Sequence, residues 1–276
     1  MANIFIIGNG FDLAHGLRTS YSDFREYLLI QQQKKPETSP AELLVRIITN
    51  AIIDGDNWSD FENALGRIDY KRFFEDPRLN RYYHNYSPRD YERRSPLRAI
   101  TELRKYFKDW INSVNLADVS AFESFSSLFD PQNDFAFTFN YTLTLEQLYN
   151  AKHVCHVHGK VGKGIIFGHG NQTALEYNNS FAQRLHNSLR KDINTGVEVA
   201  QKFYFRTEMK KGTHNIFSMG FSYADIDMRI IHFIASLGSK KWFLHDYDFE
   251  NLTKYCEIIK NSAFGGKIET IKMIHD

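Results

Sequence analysis

NIFIIGNGFD, residues 3–12, sets four apolar residues, Ile4 to Ile7, against a turn that holds Gly8 and Gly10. A β-branched and aromatic run with no polar alternation suits a strand buried on both faces, and such strands belong to parallel sheets. Glycines directly behind the strand let the backbone approach a phosphate closely, and the next helix start offers free N–H groups. The stretch therefore reads as a phosphate-binding turn between strand and helix, with Gly8, Asn9, Gly10, Phe11 and Asp12 as its residues. A full dinucleotide fingerprint would have a third glycine at position 13, where the chain has Leu13. A plain tight turn is the alternative. Asp12 either caps the helix or faces the ligand, and both roles stay open.

Further strand-length apolar runs lie at 135–139, 153–158, 165–167, 215–219, 241–245 and 268–274, with amphipathic helix-length segments at 142–151, 224–237 and 249–262. Alternation of this kind predicts an α/β fold: a Rossmann-like parallel sheet with helices on both faces. Residues 20–130 break the rhythm with helical stretches punctuated by Pro36, Pro40, Pro77, Pro88 and Pro96, and read as a large helical insertion after the first βα unit. A smaller insert covers about 170–212. The expectation is a single domain over 1–276, with helices 40–68 forming a wall or lid over the nucleotide. The insertion would serve regulation or assembly, as a homo-oligomer or with a partner protein. The basic, tyrosine-rich segment 78–94 reads as a solvated surface.

Composition narrows the function classes. The 34 Lys+Arg nearly balance 33 Asp+Glu, so no global charge favours nucleic acid as the main partner. Two cysteines, Cys155 and Cys256, supply neither a disulfide framework nor a four-thiolate zinc module. The apolar run near the N-terminus is too short for a signal peptide, and none approaches the roughly 20 residues of a membrane span. A cytoplasmic protein without membrane association is expected.

Three more constellations fall at expected carboxyl ends of strands, where open α/β sheets bind ligands. Asn140 follows the strand 135–139; it either faces a ligand or, with Thr142, caps the next helix. His156 and His158 lie two apart, so in a strand both rings share a face. They could hold a metal with a third ligand such as His169 or Asp12. Otherwise one is a general base and the other a packed core residue. His158, next to Gly159 at the expected strand end, is the better base. Finally Gly220, Ser222 and Asp225 repeat the strand–glycine–helix pattern, and Ser222 with Asp225 has capping-box spacing.

IIGNGFDLAHGL at 6–17 with TSYSDF at 19–24 resembles the opening of the bacterial abortive-infection AbiH family. WSDFE at 58–62, FTFNYT at 137–142, HVHG at 156–159, FGHGN at 167–171 and GFSYADID at 220–227 extend the likeness. That family resembles a divergent branch of the sirtuin-like NAD-binding fold. The resemblance implies NAD as substrate, cleaved at its nicotinamide–ribose bond during phage infection, with no metal. It implies that Gly8 and Gly10 hold the diphosphate, that Asn140 and His158 are catalytic, and that Gly159, Gly220 and Ser222 line the nucleotide. Asn9 stands where sirtuins carry Ala, and Arg18 where Pro is expected in the family. NADP or another nucleotide is a variant of this reading. The other classes are a metal-dependent hydrolase or nuclease using His156 and His158, and a non-catalytic nucleotide sensor.

Overall fold

The computed structural model describes residues 2–34, 61–66, 68, 96–170, 183, 186–207, 209, 214–245, 251–262 and 264–272. The chain divides into two compact units. The first comprises Met1–Thr19, Val114–Ile166 and Ile193–Asp276; the second comprises Ser20–Ser113 and Phe167–Asp192.

The first unit is built on a six-stranded, wholly parallel sheet: β1 (Ile4–Ile7), β2 (Phe135–Thr138), β3 (His153–His156), β4 (Asn215–Met219), β5 (Lys241–His245) and β6 (Lys267–Ile271). Their spatial order is β3-β2-β1-β4-β5-β6. This is the doubly wound Rossmann order, in which the chain reverses direction of winding between β1 and β4 and opens a crevice at the strands' carboxyl ends.

β1 is buried along its whole length because both of its faces are covered. Ile4 and Ile6 pack with Phe137, Ile216, Ile230, Ile234 and Trp242. That layer is closed by α7 (Ile193–Arg206), α8 (Met228–Ala235) and α9 (Leu252–Asn261). Phe5 and Ile7 point the other way, into Phe11, Phe125, Leu145, Tyr149 and Phe217. Those residues bring in α1 (Asn9–Ala14), α5 (Glu123–Leu128) and α6 (Thr144–Tyr149). The period of two along β1 thus serves two hydrophobic layers at once.

In the second unit, α2 (Tyr21–Gln33), α3 (Phe61–Gly66) and α4 (Pro96–Asn112) meet through aromatic rings. Phe24 packs edge-on against Phe61 and Phe107, and Phe107 stacks on Phe167 at 4.2 Å between centroids. Ser20 and Asp23 form a reciprocal capping box that starts α2.

Several element boundaries differ from those read in the sequence. The expected insertion over 20–130 overruns the second unit, which ends its first segment at Ser113. Residues 123–128 form α5, whose Phe125 is fully buried in a layer of the sheet core. The later insert, expected over 170–212, gives up α7 to the sheet unit, where Ala200 packs in the opposite layer. Residues 165–167 are not a sheet strand. After Gly159, at φ +81°, the chain folds back so that Ile165 makes only an isolated antiparallel bridge to Gly159. Segment 78–94 and most of the expected lid, 40–60 and 67, lie outside the described residues. Among the described residues no helix is long and apolar enough to cross a membrane.

Candidate functional site

The two glycine turns at the switch point rest on each other, backbone against backbone. A Cβ on Gly8 would stand 2.3 Å from the Gly220 carbonyl oxygen, and one on Gly10 2.7 Å from the Gly220 Cα. The Gly10 N–H donates to the Gly220 carbonyl at 2.9 Å, and the Phe11 N–H donates to the Gly8 carbonyl at 3.0 Å. The glycines are therefore required by close approach of two turns. The N–H of Gly10, expected to serve a phosphate, is committed within the protein. Phe11, expected beside the nucleotide, instead packs its ring into the core against Phe125 and Tyr149. Asn9 is exposed, and its amide donates to the Thr19 carbonyl at 3.0 Å, closing the loop behind α1.

Asp12 does not cap α1, which begins after Gly8 without a side-chain cap. Its carboxylate accepts from the hydroxyl of Thr142 at 2.6 Å and of Thr144 at 2.7 Å. Thr142 is thereby spent on Asp12, and α6 starts without a side-chain cap at Leu143. Burial pushes the Asp12 pKa from 3.8 up to about 6, against the opposing pull of Thr142, Thr144, Asn140 and the charge of His156. An acid whose folded pKa is raised holds its proton longer when folded than when unfolded. The stability that Asp12 itself contributes is then fully present below about pH 4 and is lost as pH rises through about 6, about 3 kcal/mol in all. Asp12→Asn is expected to flatten this slope, as urea unfolding from about pH 4 to pH 7 would show. Parallel slopes for variant and wild type would refute the assignment.

Asn140 follows β2 and is buried. Its backbone N–H donates to Thr138 Oγ1 at 3.1 Å, and its backbone carbonyl accepts from His156 Nδ1 at 3.1 Å. Its side-chain amide donates to the Gly8 carbonyl at 3.0 Å. A carbonyl can only accept, so the amide nitrogen must face Gly8 and Oδ1 must point the other way. Oδ1 is the polar atom of Asn140 left buried with no partner. Such an atom costs free energy in the resting fold and needs a reason.

β3 ends at His156, so His158 lies two residues beyond the strand and strand alternation no longer sets its ring beside that of His156. The two imidazoles consequently part company. His156 Nε2 meets Glu146 Oε1 at 2.9 Å, with Lys160 Nζ on the same oxygen at 3.0 Å. Burial raises the Glu146 pKa, but the hydrogen bonds and charges of His156 and Lys160 outweigh it and leave the carboxyl below its usual range. His158 Nε2 meets Asp227 Oδ1 at 2.9 Å, both residues being buried. His158 Nδ1 is buried without a partner. Sharing of one metal by His156 and His158 loses its premise, since each ring addresses a different acid. His169 belongs to the other unit, where its Nε2 donates to the His186 carbonyl at 3.0 Å. Among the described residues no three His, Cys, Asp or Glu side chains stand close enough to hold a metal ion.

Gly159 serves the chain reversal, for a Cβ there would lie 1.7 Å from the Gly164 carbonyl oxygen. Ser222 and Asp225 are both exposed and form no capping box; a 3-10 turn over Asp225–Asp227 starts after Ala224 without a side-chain cap. Asp227, not Asp225, is the acid that turns inward. Sequence reading passed over it because its partner is 69 positions away. The only local signal was a second acid two residues after the first.

Residues 4–245 match the family model described as bacteriophage abortive infection AbiH. The chain belongs to the AbiH family. No curated protein and no solved structure matches it. In this AbiH chain the matched span runs from the first residue of β1 to the last of β5, and so contains Asn140, His158, Gly220 and Asp227. Membership places the protein in phage abortive-infection defence.

Proposed function

We propose that this AbiH protein hydrolyses the nicotinamide–ribose bond of NAD, depleting the cofactor during infection. One observation carries the reading: His158, two residues past the carboxyl end of β3, is buried, anchored through Nε2 to Asp227, and keeps Nδ1 without a hydrogen-bond partner. Because the Asp227 carboxylate accepts from Nε2–H, Nδ1 carries the lone pair. That is the tautomer a general base needs.

In the proposed step a water oxygen attacks the ribose C1′ as the C1′–N bond breaks. The bonding pair returns to the pyridinium nitrogen, so nicotinamide leaves neutral. The water proton passes to His158 Nδ1, and Asp227 stabilises the imidazolium that results. The transition state resembles an oxocarbenium ion, so holding ribose and water in register is the main demand. Asn140 Oδ1, a fixed acceptor, suits a ribose hydroxyl or the water. General-base assistance adds about 10²–10⁴-fold. The Gly8–Gly10 and Gly220 turns act here as scaffold, since the Gly10 N–H is already taken. Ser222 is exposed and open to contact with the far ribose.

Purified protein incubated with NAD should release nicotinamide and ADP-ribose in equal amounts, resolved by chromatography, and NAD should fall in infected cells that carry it. Tight binding of NAD with no product in either setting would replace the hydrolase reading by that of a nucleotide sensor.

A further inference from the structure

His156 reads at first as a core histidine that ties α6 to the sheet. Its two nitrogens do different things. Nε2 reaches Glu146 on α6, which is that tie. Nδ1 donates to the backbone carbonyl of Asn140. His156 also pairs with Thr138 in the β2–β3 register, and the Thr138 hydroxyl accepts from the Asn140 N–H. The peptide groups on both sides of Asn140 are thus gripped from β2 and β3, while Gly8 on the β1 side grips the amide nitrogen. With those three contacts made, Oδ1 is left as the polar atom without a partner, and it is buried. A side chain fixed on every atom except one acceptor is aimed by its surroundings.

We infer that His156 is a positioning residue, which aims Asn140 Oδ1 through the Asn140 backbone carbonyl. For its turnover arm this inference rests on the NAD reading; its structural arm does not. A positioning error of about 1 Å can cost about 10²-fold in rate. A purely structural role for His156 would depend on the Glu146 tie instead, so the two roles make opposite demands on the ring nitrogens.

Two near-isosteric variants separate them. His156→Asn places an amide N–H where Nδ1 stood and abandons Glu146. His156→Gln places one where Nε2 stood and abandons Asn140. The measurements are kcat and KM with NAD, thermal melting, and the Asn140 side-chain amide resonances in a nitrogen-15 spectrum. His156→Asn is expected to keep the Asn140 resonances in place and kcat within about threefold of wild type. His156→Gln should shift those resonances and lower kcat by about tenfold or more, with KM changed less than twofold. The reverse order, with His156→Asn the worse of the two, would overturn the inference, as would unmoved Asn140 resonances in His156→Gln. If wild-type protein does not cleave NAD, the hydrolase reading falls and the resonances alone decide the role of His156.

Discussion

Gly220→Ala is expected to cost more than about 4 kcal/mol and to lower the melting point by about 10 °C or more, or to leave the chain insoluble. Two terms add. Gly220 sits at φ +58°, where a side chain costs about 1–2 kcal/mol. Its Cβ would stand 2.2 Å from the Phe11 nitrogen and 2.5 Å from the Gly10 carbonyl carbon. Backbone cannot swing aside as a side chain can, so the two turns would have to separate. The Gly10–Gly220 hydrogen bond would go with them, and with it the packing of β1 on β4. Gly16 isolates the first term: it lies at φ +73° with nothing within 4 Å of a built Cβ, so Gly16→Ala should cost only the conformational penalty. The same geometry governs Gly10→Val, since a Cβ on Gly10 would stand 2.7 Å from the Gly220 Cα. A branched side chain there collides with Gly220 rather than with a phosphate, so folding is lost and not merely ligand binding. A Gly220→Ala protein that melts like wild type would show that the turns can part cheaply.

The sequence disclosed the sheet well because buried parallel strands write themselves as short runs rich in large apolar residues, and β1 and β4 stop at Gly8 and Gly220. Ile4 to Ile7, 215–219 and 241–245 needed no tertiary information to be seen. Residues 165–167 carry the same signature and yet form no sheet strand, since Gly159 turns the chain before it can extend the sheet. The candidate site was legible in position and not in wiring. Gly8, Asn140, His158 and Gly220 do gather at the carboxyl ends of β1, β2, β3 and β4. Which acid holds which histidine depends on contacts across 10 residues for Glu146 and 69 for Asp227, and no local pattern reports such a choice. Ser222 and Asp225 satisfy the capping-box spacing, yet spacing alone cannot foresee that the segment begins as a 3-10 turn over Asp225–Asp227 with Asp227 directed inward. Asp12 illustrates the third kind of gap. Of the roles offered by its position in the chain, the helix cap gave way to two threonine hydroxyls, Thr142 in the loop after β2 and Thr144 at the start of α6.

His158→Ala should lower NAD turnover by about a hundredfold or more while leaving NAD affinity nearly intact, because a base acts on the reacting water and adds little to ground-state binding. Asp227→Asn tests the same mechanism from the other side and is the sharper of the two. The variant keeps the size and shape of the side chain, but an amide nitrogen can now turn towards His158 Nε2 as a donor. The imidazole would then keep its lone pair on Nε2 and carry its proton on Nδ1, the nitrogen proposed to take a proton from water. A loss of about 10²–10⁴-fold in kcat, with KM close to wild type and an unchanged melting point, is the expected result. Asp225→Asn, two residues away and exposed, should behave as wild type. If Asp227→Asn retained full turnover, His158 would be no more than a buried ring paired with an acid. If His158→Ala abolished NAD binding along with turnover, the ring would be a ribose contact, and the base would have to be sought elsewhere along the same edge, where Asp12, its pKa pushed up to about 6 by burial, is a group able to exchange a proton near neutrality.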